Sequence, residues 1–347
     1  MRAGDFRTTY AADMAIFETS FARGCVGAFL LLLAVVPVFA TTYWLDVVNR
    51  IAIAVIGAVG LNILTGFTGQ ISLGNAAFLA VGAYSTAAFS SRWNLPCLLV
   101  IPMSGLIAAL IGMAFGIPSL RLKGLYLAMA TLAAHFIVEF AAVHWEAITG
   151  GVNGMSVPAA RLFSLSFESD RTLFYLILPV AVLLVFFAKN LFRTKVGKAF
   201  IAIRDQDISA EVMGVNVFKH KLMSFAVSSF YVGVAGSLLS YQARIISPEN
   251  FPLTVGIDYL GMIIIGGMGS ILGSILGAIF ITLLPELLRL LSGAAGGVFP
   301  GLVQLFASIK MGVFGLAIVL FLIFEPDGLA ARWRTIKNYW KLYPFSY

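Results

Sequence analysis

The chain has 347 residues, of which 60% are hydrophobic and 11% are charged, and it carries a net charge of +7. Soluble globular domains carry about 25% charged residues, so this composition excludes a water-soluble protein and indicates that lipid surrounds most of the chain. The positive charges lie in short segments between apolar runs. This arrangement indicates that they set membrane topology, and it excludes nucleic acid as a partner.

Apolar runs follow one another along the chain after a polar segment at residues 1–23. Because a helix needs about 20 apolar residues to cross the hydrocarbon core, each run predicts a membrane helix. The first run lacks the cleavage pattern of a signal peptide. The predicted fold is all-α, a polytopic membrane helix bundle of about eight to ten transmembrane helices. The predicted spans are 25–43, 46–64, 71–90, 96–117, 124–144, 172–188, 220–240 and 308–324, with one longer run at 257–285.

Basic residues indicate which segments face the cytoplasm. They are concentrated in the linker 189–221, in the turn that contains Arg121 and Lys123, and in the C-terminal tail. Loop 145–171 has a slight excess of acidic residues and is predicted to lie outside. The predicted domains are a cytoplasmic N-terminal segment at 1–23, a transmembrane domain at 24–330 with a cytoplasmic loop at 189–219, and a cytoplasmic tail at 331–347.

The run 257–285 is predicted to enter the membrane and return. Counting spans from an N-terminus inside places the start of this run outside, and the basic tail then ends inside only if the run turns back. Gly266, Gly267, Gly269 and Ser270 interrupt the run. We therefore expect a re-entrant hairpin or two short helices, with the irregular backbone buried in protein or facing a cavity.

The segment 60–84, GLNILTGFTGQISLGNAAFLAVGAY, combines glycines with small polar side chains between two apolar runs. Glycines allow close helix approach and small polar groups bond across helices, and both weaken helices, so a broken helix is predicted. Such a segment indicates either part of a substrate path, as in many transporters, or a tight helix contact with no substrate role. The candidate path residues are Asn62, Thr65, Gly66, Thr68, Gly69, Gln70, Ser72, Gly74 and Asn75.

The linker contains a short predicted helix at 208–213. Asp207 is expected to be its N-cap, and Gly214 is expected to be the left-handed residue that ends it. A helix of this length is not stable alone in water, so it must rest on another surface. The nearby lysines favour anionic lipid as that surface, and a partner protein is the alternative.

Residue patterns that carry catalysis, nucleotide binding or metal binding are absent from the sequence. There is no GxxxxGK[ST] loop for ATP, and Cys25 and Cys97 have no metal-binding spacing, so no catalytic or metal-binding residue is predicted. Glu139 lies well within an apolar run and is predicted to form a satisfied pair with His135 one turn earlier. Glu286, at the end of its run, is expected to meet water.

Several motifs resemble the permease family of ABC importers for branched-chain amino acids, and in particular the subunit that pairs with a second homologous permease. The resemblance extends over about residues 51–329 and includes the segment 60–84. The other motifs are GLYLAMATLA at 124–133, ITGGVNGMSVP at 148–158, PENF at 248–251, GGMGSILGSILGA at 266–278 and EPDGLA at 325–330.

The resemblance implies that the linker helix docks to an ATPase subunit, which favours a protein over lipid as its support. The residues to which it assigns this coupling role are Arg204, Asp207, Ala210, Glu211 and Gly214. It also implies a second permease, two ATP-binding subunits, a periplasmic amino acid binding protein and a location in the bacterial inner membrane. The partner subunits would use ATP, whereas this chain would bind no cofactor and would not be an enzyme.

Other functions stay open at the level of sequence. Close relatives of this family carry urea or short amides, and the candidate path residues do not distinguish these from Leu, Ile or Val. An ion-coupled secondary transporter would need no ATPase and would use charge near the membrane centre, for which Glu139 is the one candidate. A channel is a further alternative.

Overall fold

The computed structural model describes residues 20–119, 122, 124–162 and 165–296, and beyond them residues 312, 315, 316, 318–321, 323–325 and 327–342. Most of these residues are helical. The helices are α1 (Ser20–Phe39), α2 (Thr42–Thr68), α3 (Asn75–Arg92), α4 (Cys97–Ser119), α5 (Leu125–His144), α6 (Glu146–Thr149), α7 (Asp170–Leu191), α8 (Lys195–Asp205), α9 (Asp207–Val212), α10 (Val217–Ala243), α11 (Leu253–Gly266), α12 (Ile271–Gly296) and α13 (Leu329–Leu342). The described residues between 312 and 324 are helical as well.

Six of the described helices, α2, α4, α5, α7, α10 and α12, are long and apolar enough to cross a membrane. This finding confirms the predicted polytopic helical bundle. The predicted spans 25–43 and 71–90 correspond to α1, which has a shorter apolar stretch, and to the 18-residue α3. The predicted turn with Arg121 and Lys123, the segment 1–19 and part of the predicted span 308–324 lie outside the described residues.

Short strands tie two loops together at one end of the bundle. β1 (Met155–Ser156) pairs antiparallel with β4 (Ile245–Ile246), and β2 (Ala160–Leu162) pairs antiparallel with β3 (Leu165–Phe167). The first pairing fastens the loop between α6 and α7 to the chain that leaves α10. Single turns of 3-10 helix precede and follow these strands at Gly151–Asn153 and Pro248–Asn250.

α2 and α10 form the centre of the bundle. α2 is buried throughout its second half, and α10 packs against α2, α3 and α4. Gly82 of α3 and Gly233 of α10 approach so closely that a Cβ on Gly82 would lie 2.1 Å from the Gly233 carbonyl oxygen. Only glycine permits this crossing, which explains why small residues interrupt these apolar helices.

Side-chain contacts define the two ends of the bundle. At the end where α2 begins, the Tyr43 hydroxyl donates to the Glu286 carboxylate, and Gln242 Nε2 donates to Asp46 Oδ1 at 2.6 Å. At the end where α2 stops, Arg204 of the linker reaches the carbonyl of Gly66 at 3.2 Å. We call these the Tyr43 end and the Arg204 end.

The run 257–285 folds as a helical hairpin, as predicted, but only its first helix is short, since α12 has 26 residues and is long enough to cross a membrane. α11 ends at Gly266, four residues form the turn, and α12 returns antiparallel to α11, so that a Cβ on Gly277 would lie 1.8 Å from the Met262 carbonyl oxygen. The turn lies at the Arg204 end, whereas Glu286 lies at the Tyr43 end. The chain therefore enters and returns, and the linker and the start of the tail lie at the same end.

Candidate coupling and translocation site

The predicted break in the segment 60–84 is a six-residue connection between α2 and α3. Gly69 ends α2 in the left-handed conformation, with a φ of 73°, and its N–H donates to the Thr65 carbonyl at 3.2 Å. Glycine adopts this conformation without the steric cost that other residues incur. Gly69 therefore determines where α2 ends and where the break begins. The helices on either side of the break, α2 and α3, are regular.

Asn62 fastens α2 to the turn of the hairpin. Its Nδ2 donates to the Ser270 carbonyl at 2.9 Å and to the Ser274 hydroxyl at 2.7 Å, and its Oδ1 accepts from the Gly269 N–H at 2.9 Å. These bonds satisfy polar groups that the apolar bundle would otherwise leave unpaired. The side chain thus holds the irregular backbone of the hairpin in place at the Arg204 end.

The other polar residues of this segment bond within the chain. Gln70 Nε2 donates to the Ser224 hydroxyl of α10 at 2.7 Å. The remaining bonds join Thr65 Oγ1 to the Gln70 carbonyl, Thr68 Oγ1 to the Ile63 carbonyl, the Gly74 N–H to Ser72 Oγ, and the Leu73 N–H to Thr131 Oγ1. The connection is therefore fixed to α10 and α5 as well as to the end of α2.

Eight of the nine candidate path residues are buried within the chain, and Gly69 is exposed. Most of their hydrogen-bonding groups are engaged by neighbouring segments, which is the geometry of the tight-contact alternative. The exceptions are the amide nitrogen of Asn75 and the amide oxygen of Gln70, which are buried and have no hydrogen-bond partner. A role of these residues in a substrate path stays a prediction.

The linker forms two helices, α8 and α9, before α10 begins. Gly214 has a φ of 88° and ends α9 as predicted, with its N–H donating to the Glu211 carbonyl and the Val215 N–H donating to the Ala210 carbonyl. This paired arrangement is the Schellman motif. The prediction that Asp207 caps the helix is wrong, because Asp207 is the first helical residue and its carboxylate accepts from Lys221 Nζ at 3.4 Å.

α9 presents an exposed apolar face. Val212 and Met213 are 81% and 84% exposed, and Ile208 is also exposed, whereas Ala210 is buried against the bundle. Glu211 lies on the exposed part of the same helix. An apolar surface with one carboxylate, presented by a short capped helix, has the form of a docking surface for another molecule.

Arg204 links the linker to both irregular segments of the bundle. Its guanidinium Nη1 donates to the Gly66 carbonyl at 3.2 Å, and a Cβ on Gly269 would lie 2.8 Å from the same nitrogen. The carbonyls of the last helical turn lack partners within the helix, and a cation there is favourable. The remaining guanidinium donors bond Asp205 Oδ1 at 2.8 and 3.0 Å.

A cleft of about 370 Å³ opens between the linker and the bundle. It brings three predicted path residues, Thr68, Gly69 and Gln70, together with two predicted coupling residues, Arg204 and Asp207. The two sets, which are more than 100 residues apart in sequence, therefore border one space. Ala210, Glu211 and Gly214 lie on α9 or just after it and do not line this cleft.

The EPDGLA motif packs against the turn of the hairpin. A Cβ on Gly328 would lie 2.5 Å from the Cα of Gly267, so the two backbones touch. Glu325 forms an ion pair with Arg332 of α13 and raises the pKa of Arg332 by accepting its hydrogen bond. The C-terminal segment thus supports the same irregular backbone that Asn62 and Arg204 hold.

One expectation about a carboxylate is wrong, and another is confirmed in part. Glu286 does not simply meet water, because Tyr43 donates to it and Arg289 lies 3.5 Å from it. The predicted pair of His135 and Glu139 is present, with Nε2 3.7 Å from the carboxylate, but this distance is too long for a hydrogen bond and neither ring nitrogen makes one. Among the described residues, no group of three His, Cys, Asp or Glu side chains is placed to hold a metal ion.

Sequence reasoning missed the residues that receive these contacts. They are Thr131 of α5, Ser224 of α10 and Ser274 of the hairpin, whose hydroxyls accept these bonds. Their signal is a small polar side chain within or beside an apolar run, because such groups find partners on neighbouring helices. The sequence does not indicate which neighbouring helix supplies the hydrogen-bond partner, so the pairs cannot be assigned from residue spacing.

Comparison with known proteins gives the same assignment along most of the chain. The chain is 33% identical to the high-affinity branched-chain amino acid transport system permease protein LivM of Escherichia coli (strain K12), over 88% of this chain and 74% of that protein. It is 27% identical to the probable branched-chain amino acid transport permease protein LivH of Methanocaldococcus jannaschii, over 69% and 78%. It is 25% identical to the ribose import permease protein RbsC of Haemophilus influenzae, over 76% and 84%.

No solved structure matches the chain at a significant level. The profile of the family described as the permease component of branched-chain amino acid transport systems matches residues 43–324. This range contains the central helices, the connection 69–74, the linker and the hairpin. The chain is therefore a multi-pass membrane protein that belongs to the branched-chain amino acid transport permease family.

Proposed function

We propose that this chain is one of two homologous permease subunits of an ABC importer that carries Leu, Ile or Val across the bacterial inner membrane. The single observation that carries the proposal is α9, an exposed apolar helix on the linker at the Arg204 end. This helix lies near the connection 69–74, so the movement of a partner bound to it can be transmitted to the bundle. The names of LivM and LivH support the substrate class.

Separate ATP-binding subunits supply the energy in this proposal, and this chain binds no cofactor and catalyses no reaction. An ATPase that grips α9 moves α8 as well, since the two helices are joined by the single residue Gln206. Arg204 then transmits the motion to Gly66 and to the turn of the hairpin. A rigid-body shift of this kind switches which end of the path is open.

The proposed topology places the Arg204 end in the cytoplasm. The segment 1–23, the loop 189–219 and the tail 331–347 lie there, and the transmembrane domain is 24–330. A periplasmic amino acid binding protein delivers substrate to the Tyr43 end, where β1 and β4 tie the outer loops together. The basic composition of the linker and of α13 supports this orientation.

The proposal is tested by uptake into vesicles that contain this chain, its partner permease, the two ATPase subunits and the loaded binding protein. We expect accumulation of labelled leucine only with ATP, and competition by isoleucine and valine but not by urea or ribose. Leucine accumulation without ATP on an ion gradient would reject the assignment to an ABC importer. Accumulation of urea or ribose in place of leucine would reject the substrate class.

Reversing the charge of Glu211 is expected to abolish uptake. Glu211 is exposed on α9, so Glu211→Lys should leave folding and membrane content unchanged. Placing a like charge at a docking surface costs several kcal/mol, so leucine uptake should fall below about one tenth of the unmodified rate. The matched control is Glu168→Lys, an exposed position in the loops at the other end. Normal uptake by the Glu211 variant would show that α9 is not the docking helix.

A further inference from the structure

Glu139 is an acidic residue on an apolar membrane helix, and its side chain is only partly buried. It is the fifteenth residue of the span Leu125–His144, and its side chain is 44% exposed. Acidic residues within membrane helices face protein or water, because burying their charge in hydrocarbon is costly. This part of α5 therefore faces a polar environment in the assembled protein.

Two buried side chains beside Glu139, those of His135 and Tyr84, carry polar atoms that make no hydrogen bond. His135 is 1% exposed and neither of its ring nitrogens is hydrogen-bonded. The hydroxyl of Tyr84, on α3, is also buried and has no partner. Buried polar groups are almost always hydrogen-bonded, since leaving them unpaired is costly. Two such groups that line one cavity beside a carboxylate form a candidate binding site for a hydrogen-bond donor.

These residues line one small cavity between α3, α5 and the PENF segment. Its volume is about 10 Å³, which is room for a single group of the size of a water molecule. The rest of the wall is formed by Ala77, Ala80, Val138, Ala142, Pro248 and Phe251. The ring of Phe251 lies 6.2 Å from that of Tyr84, so aromatic surface adjoins the polar groups.

We propose that this cavity binds the ammonium group of the amino acid in transit, with Glu139, His135 and Tyr84 as its acceptors. An ammonium group is close to water in size and has three N–H donors. The carboxylate, the unprotonated nitrogen of a neutral imidazole and the phenol oxygen supply one acceptor each. The carboxylate balances the charge and the aromatic rings attract the cation, while the rest of the amino acid lies outside this small cavity.

This inference rests on the proposed function and adds a recognition site to it. The test uses the assembled transporter with Cys25 and Cys97 replaced by serine and with Val138→Cys as a reporter in the cavity wall. Leucine should slow maleimide labelling of the reporter by at least about fivefold, whereas 4-methylpentanoate, which has the same side chain without the ammonium group, should not. Adding Glu139→Gln should remove the protection by leucine.

Labelling that neither compound slows would overturn the inference, and so would equal protection by both. Failure of the Glu139→Gln transporter to assemble would also contradict it, because the carboxylate would then pair with a basic side chain of a partner subunit. Glu168→Gln, in the loops at the Tyr43 end, is the control and should leave protection intact. Leucine uptake by the unmodified transporter is measured in parallel, and its persistence without protection would reject this site alone and leave the proposed function standing.

Discussion

Arg204→Ala is expected to separate ATP hydrolysis from transport. The variant should still assemble and hydrolyse ATP, because Arg204 points away from the exposed face of α9 and into the bundle. Its loss removes the bond to the Gly66 carbonyl and the contact with Gly269. A hydrogen bond to a charged group contributes about 1.5–3 kcal/mol, so a conformational equilibrium that depends on it shifts by about tenfold or more.

The measurement compares leucine uptake with ATP hydrolysis in the same vesicles. We expect uptake to fall by about tenfold or more while the rate of hydrolysis changes less than twofold. Arg204→Lys should give an intermediate result, since a single ammonium reaches the Gly66 carbonyl but lacks the fork that also binds Asp205. Arg193→Ala is the control, because the guanidinium of this linker residue bonds its neighbour Asn190 at 3.4 Å rather than the bundle. A proportional loss of both activities would contradict the role of Arg204 as a link.

Gly66→Ala is expected to be strongly destabilising. A Cβ at this position would lie 1.8 Å from Asn62 Oδ1 and 2.4 Å from the Gly269 nitrogen. The methyl group would force Asn62 out of its place and break its bonds to the hairpin. Overpacking and the loss of buried hydrogen bonds together cost about 3 kcal/mol or more, which corresponds for a chain of this length to a fall of about 4 °C or more in the unfolding midpoint.

Thermal unfolding of the purified protein in detergent measures this effect. The control is Gly27→Ala, a helical glycine of α1 with open space around its Cβ position. This change should leave the midpoint within about 2 °C, since it adds helix propensity and no clash. Equal midpoints for the two variants would mean that Asn62 and the hairpin turn do not form the contact described here.

The hairpin and the end of α9 could be predicted because local signals decide them. Charge balance required the run 257–285 to return, and the glycines marked the turn. Gly214 followed a helix of suitable length and had the conformational freedom that its end requires. Asp207 carried an equally good capping signal, but Lys221 on α10 competes for its carboxylate, and the helix begins one residue earlier.

The links at the Arg204 end could not be predicted from spacing. Arg204 and Gly66 are 138 residues apart, and Asn62 and Gly269 are 207 residues apart. Which polar groups meet across such distances depends on helix packing, which one sequence pattern does not contain. The pair of His135 and Glu139 is a second example. The helix period predicts that the two residues share one face of α5, but it does not predict that α3 and Phe251 lie against them.

The most direct test of the central claim is the accessibility of α9. Val212→Cys, in a chain that lacks its two native cysteines, places a thiol at a position that is 81% exposed. We predict that an impermeant maleimide labels it only from the cytoplasmic side and that the ATPase subunits block the labelling. Val152→Cys, 69% exposed in the loops at the Tyr43 end, should be labelled from the outside and should be unaffected by the ATPase. Labelling of Val212→Cys from the outside, or labelling that the ATPase does not change, would contradict the account.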